Sequence, residues 1–62
     1  MLQSNLLVLA HNHPSGSAQP SELDIQQTLR LREFLGPLEI ELVDHFIVAM
    51  NETFSFRMGM IL

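Results

Sequence analysis

The chain has 62 residues, with seven Asp/Glu against three Lys/Arg, three His, and neither Cys, Trp nor Tyr, for a net charge of −4. That length allows one small domain or part of one; it buries only about 60% of its unfolded surface, so a staple or a partner is normally required. Without cysteine, disulfides and thiolate zinc clusters are excluded, while a site built from His and carboxylate, or contacts beyond the chain, stays open.

Asn5 to Ala10 is a short apolar run that ends in polar residues, which suits a strand buried on both faces. The first ten residues lack the basic start and small-residue cleavage site of a signal peptide. The apolar runs Leu6 to Ala10 and Phe46 to Met50 are far shorter than the roughly 18 residues of a membrane helix. A folded, cytoplasmic piece with no membrane partner is expected. His11 to Pro20, H-N-H-P-S-G-S-A-Q-P, is a loop punctuated by two prolines and Gly16, the latter suited to positive φ. Pro14 biases His13 towards extended geometry, so the strand is expected to run out through both histidines.

Ser21 opens a helix. It is a good N-cap, Glu22 and Asp24 place acid in the first turn, and Gly36-Pro37 closes the far end. At about 100° per residue, Leu23, Thr28, Leu31, Phe34 and Leu35 share one arc, which is expected to face the core. Asp24 falls in the middle of that arc, a conflict with the binary pattern of the kind that clusters at functional sites. Leu38 to Met50 is rich in Ile, Val, Leu and Phe without clean alternation, and reads as a largely buried strand. Asn51-Glu52 is a turn, and Thr53 to Arg57 is the second strand of a hairpin. Met58 to Leu62 is an apolar tail expected to seek cover, and the phenylalanines at 34, 46, 54 and 56 read as core. The order strand, helix, strand, strand places the chain in the α/β or α+β class.

His11, His13, Ser21 and Asp24 carry the chemistry. Histidines at i and i+2 on an extended segment project to the same side and can grip one ion together. Asp24, in the first turn of the following helix, adds a hard oxygen ligand. Two His and one carboxylate leave a fourth zinc position for water, the composition of a catalytic site in which the metal acidifies that water and polarises a substrate carbonyl. Ser21 lies one helical turn before Asp24, where its hydroxyl can stabilise a developing oxyanion. The competing reading makes Ser21 a helix cap worth about 1 kcal/mol, Asp24 an acceptor for free amides, and the histidines ordinary loop residues. Asp44 and His45 read as strand residues satisfied by their neighbours. With only Arg30, Arg32 and Arg57, unclustered, the chain is a poor stand-alone nucleic-acid binder.

The segment H-N-H-P-S-G-S-A-Q-P-S-E-L-D matches the JAMM pattern of two His separated by one residue, then seven residues, Ser, two residues and Asp. With L-V-D-H-F-I-V and F-S-F-R further on, Leu6 to Met60 resembles the RadC-like branch of that family. The resemblance implies that residues 1–62 are the C-terminal part of a single JAMM (MPN) domain, a partial sheet of the cytidine-deaminase-like type. It implies a zinc-dependent hydrolase acting on peptide or isopeptide bonds of a protein or peptide substrate. By position, His11, His13 and Asp24 would be the metal ligands and Ser21 the serine that assists the tetrahedral intermediate. The branch also carries a DNA-repair label, against which the net charge counts. The family's general base is a glutamate on a strand upstream of the histidines, and none of the ten residues before His11 is acidic. Glu22, about 200° around the helix from Asp24, and Glu52, in the hairpin turn, are poor substitutes. The base is therefore expected from sequence outside the chain. The rival expectation is a non-catalytic interaction remnant that forms homo-oligomers through exposed sheet edges.

Overall fold

The computed structural model describes residues 5–62. Strand β1 (Asn5–Asn12) leads through the histidine loop to helix α1 (Glu22–Leu35), then a 3-10 turn (Gly36–Leu38), β2 (Ile40–Val48) and β3 (Thr53–Ser55). The strands form one mixed sheet in the order β1-β2-β3, with β1 parallel and β3 antiparallel to β2. The fold is α+β, with α1 as the crossover between the parallel pair.

Only one face of β1 is covered. Leu7, Leu9 and His11 are half-buried on the side of α1, whereas Leu6 (69% exposed) and Val8 (54%) stand on the open face. The expectation of a strand buried on both faces is thus corrected: α1 packs on β2 and leaves its side of β1 half-buried, and none of the described residues covers the other. Opposite β2, the register runs Leu7 to Leu42 and then Val8 to Asp44, so Val43 is an extra residue that bulges the ladder.

Helix α1 begins at a complete capping box. Ser21 Oγ accepts from the Asp24 N–H at 3.0 Å, and Asp24 Oδ2 accepts from the Ser21 N–H at 2.8 Å. The buried strip of the helix is Thr28 and Leu35, flanked by half-buried Ile25 and Leu31. Leu23 and Phe34, expected on the core arc, are 60% and 67% exposed. They lie roughly 120–140° around the helix from Thr28, and a sheet of three strands is too narrow to reach that flank. Gly36 ends the helix in right-handed geometry, and the left-handed residue is Glu39 at φ 60°.

The hairpin is present but β3 is short. Beyond Ser55 the chain turns, with the Gly59 N–H donating to the Ser55 carbonyl at 2.9 Å and the Ile61 N–H to the Phe56 carbonyl at 2.9 Å. A β-carbon at Gly59 would meet the tip of the Phe54 ring at 2.5 Å, so a larger residue there would force the ring to move. The return brings Ile61 and Leu62 onto the core of Ala18, Ile47 and Phe56, while Met58 and Met60 stay exposed. The tail finds cover at its end only. Among the described residues no helix is long and apolar enough to cross a membrane.

Candidate metal centre

The histidine pair sits where β1 runs out. His11 belongs to β1, and the His13 N–H donates to the Val48 carbonyl at 3.0 Å, which prolongs the parallel ladder one residue past the strand. Both rings therefore project from one side of the same extended backbone, with centroids 4.8 Å apart. The loop that follows is anchored twice. Gly16 turns at φ 89°, and the Ala18 N–H donates to Glu52 Oε2 at 2.6 Å, tying the loop to the hairpin turn. Glu52 is thus engaged as an anchor, and Glu22 is exposed.

The capping box delivers Asp24 to the histidines. Its Oδ2 lies 3.2 Å from His13 Nε2 and its Oδ1 3.6 Å from His11 Nε2. One ligand atom from each of the three half-buried residues falls within 4.8 Å of the others, so the group can hold a metal ion. The donor set of two imidazole nitrogens and one carboxylate oxygen fits zinc. The Ser21 N–H above all holds the Asp24 carboxyl below its usual range, against a burial penalty, with the Ser21 hydroxyl and the two histidines assisting. Asp24 is therefore anionic at neutral pH. His13 faces an acceptor on each side, the Ser17 carbonyl 3.0 Å from Nδ1 and Asp24 Oδ2 3.2 Å from Nε2, so a cation taking the Nε2 lone pair would leave the ring proton on Nδ1, directed at Ser17.

Two further residues join the site that the sequence pattern did not place there. His45 Nε2 is 2.9 Å from His11 Nδ1, and its Nδ1 is 2.8 Å from Thr28 Oγ1. His45 is satisfied by neighbours, as expected of a strand residue, but the neighbours are the centre itself. Burial pushes its imidazole below the ordinary value of 6.5, with His11 adding to the effect and Asp24 and Asp44 opposing it. Thr28 was legible in part: it lies one turn beyond Asp24 on the same helix face. Nothing local in β2 announced which way His45 would point. Beside the ligands, an open pocket of about 400 Å³ is lined by Leu9, His11, Asp24, Gln27, Leu31 and His45, among others.

Asp44 faces a different task. Its carboxylate accepts from the Ser55 hydroxyl and from the backbone N–H groups of His45 and Arg57, clamping β2 to the segment after β3. Burial alone would raise that carboxyl, but the hydrogen bonds together outweigh it and the value is lowered.

The model of the RadC-like JAB domain family matches residues 1–60. A UPF0758 protein of Burkholderia thailandensis is 47% identical over 55 residues, which are 89% of this chain and 21% of that protein. A UPF0758 protein of Vibrio cholerae serotype O1 is 54% identical over 50 residues, 81% of this chain and 22% of that protein. The chain thus spans about a fifth of the length of these curated relatives. On the match over 60 of its 62 residues, together with a strand, loop and helix that gather His11, His13 and Asp24, the chain belongs to the RadC-like JAB domain family.

Proposed function

We propose that this chain supplies the metal-holding half of a zinc-dependent hydrolase site for peptide or isopeptide bonds. The observation that carries the reading is the convergence of His11, His13 and Asp24, one ligand atom from each within 4.8 Å of the others. Zinc bound there would supply a Lewis acid and an acidified water. His11 and His13 would hold it through Nε2, and Asp24 through a carboxylate kept in place by the Ser21 N–H. The Ser21 hydroxyl accepts from the Asp24 N–H, and its own proton, directed at the Asp24 carboxylate, would be redirected to the substrate oxyanion. Among the described residues no further carboxylate joins the ligand group. On this reading the base that takes the water proton is a glutamate outside the chain, and without it the rate falls by about 10²–10⁴-fold.

Metal analysis by mass spectrometry on protein purified without chelator tests the site. About one equivalent of zinc is expected, lost in His11→Ala and in Asp24→Ala. Less than about a tenth of an equivalent, unchanged by His11→Ala, would sink the reading.

A second reading is favoured by the open face of β1, where Leu6 and Val8 are exposed beside a strand edge unpaired among the described residues: a non-catalytic module that self-associates. Light scattering on metal-free chain separates the two. A stable oligomer without hydrolase activity, even when the rest of the domain is added, favours the module.

A further inference from the structure

We propose that His45 and Thr28 are positioning residues that set the tautomer of His11, aiming its Nε2 lone pair at the metal position. The inference rests on the metal reading given above and assigns a role to residues outside the ligand set.

The direction of each bond follows from the one before it. Thr28 Oγ1 lies 2.7 Å from the Asp24 backbone carbonyl, which can only accept, so the single hydroxyl proton goes there. Oγ1 is left with lone pairs, and His45 Nδ1 at 2.8 Å must donate to it. His45 Nε2 is then the acceptor of its ring, and His11 Nδ1 at 2.9 Å must be the donor. The proton of His11 is thus committed to Nδ1. Its Nε2 is bare and faces Asp24 Oδ1.

The relay starts on one ligand residue and ends on another. Asp24 gives it a carbonyl, and His11 receives its direction, with Thr28 on α1 and His45 on β2 between them. Burial keeps water from breaking the chain: Thr28 and His45 are both buried, and the His45 ring is stacked on Phe56. His13 is directed separately, by the Ser17 carbonyl. Both histidines would then turn Nε2 to a metal while Nδ1 donates, one to a loop carbonyl and one to the relay. Ligating histidines generally donate their other ring N–H to such a partner, and losing it costs about 10–100-fold in metal affinity.

Thr28→Val removes the acceptor at nearly constant volume, and Thr28→Ser keeps it. Zinc affinity of the full chain, measured by chelator competition with folding checked by circular dichroism, should fall about 10–100-fold in Thr28→Val and stay within about threefold in Thr28→Ser. Long-range nitrogen–proton NMR of the metal-free chain near pH 8 reads the tautomer directly, and His11 should carry its proton on Nδ1. A folded Thr28→Val that binds as tightly as the parent overturns the inference, as does a His11 protonated on Nε2. If Thr28→Val does not fold, Thr28→Ser and the tautomer of the parent still decide. Should the parent bind no metal, the metal reading fails alone, because the NMR measurement needs none.

Discussion

The Phe56 ring lies on the His45 imidazole, with centroids 4.6 Å and planes 17° apart, and the Phe56 N–H donates to the His45 carbonyl at 3.0 Å. One fully buried aromatic thus serves both the hydrophobic core and the edge of the metal centre. Removing it should damage both. Phe56→Ala is expected to cost about 3–5 kcal/mol, as much as a core of this size supplies, and so to unfold the chain. Circular dichroism through a urea series checks this; a cooperative transition within about 1 kcal/mol of the parent's would contradict it.

Metal should stabilise the fold that gathers its ligands. Zinc at 100 times its dissociation constant adds about 2.7 kcal/mol. For a chain of this size that raises Tm by about 10–20 °C, and EDTA should reverse the gain. His13→Ala should abolish the shift. A Tm indifferent to zinc in the parent would count against the centre.

On the hydrolase reading Ser21 has two separable duties, the observed helix cap and the proposed donation to the oxyanion. Ser21→Ala should lose the cap, about 1 kcal/mol of stability, while Ser21→Asp retains a capping oxygen and the stability. Aspartate has no hydroxyl proton to give an oxyanion. In a domain completed with its missing part, both variants should lose about 10²–10³-fold in hydrolysis and Ser21→Thr should keep most of it. Full activity in Ser21→Asp would leave the serine as a cap alone.

Acid should weaken the fold in two stages. The His45 value is lowered on folding, so its share of stability is complete above about 6.5 and declines as the pH falls below that towards the folded-state value. The Asp44 carboxyl is also lowered, and its share is complete above 3.8 and lost as the pH falls through the folded value. Urea titrations at a series of pH values should show both declines. His45→Gln should flatten the first and Asp44→Asn the second, Asp44→Asn also costing about 1–3 kcal/mol for the partners it strands. A pH profile unchanged by either substitution would refute the assignment.

The gathering of His11, His13 and Asp24 was legible because its geometry is local. Alternation along a strand puts His11 and His13 on one side, and the first turn of a capped helix puts Asp24 within reach of them. The exposed flank of α1 was not legible, since Leu23 and Phe34 fit an apolar arc whose other boundary depends on how wide the sheet is. Glu52 looked like an ordinary turn residue, yet its carboxylate holds Ala18, 34 positions away in the chain. Sequence separation also hid His45, whose partners His11 and Thr28 lie 34 and 17 positions away on other elements.

Strict alternation would send Leu42 and His45, three residues apart, to opposite faces of the sheet. Across the bulge they pair with Leu7 and Leu9, which share a face, so both point towards α1. Val43 is the surplus residue that makes this parity possible. Were β2 to pair without the bulge, Val43 would stand opposite Val8 and the imidazole of His45 would turn away from His11 and Thr28. One irregularity of pairing, on a strand that holds none of His11, His13 and Asp24, is what brings the third histidine to the first.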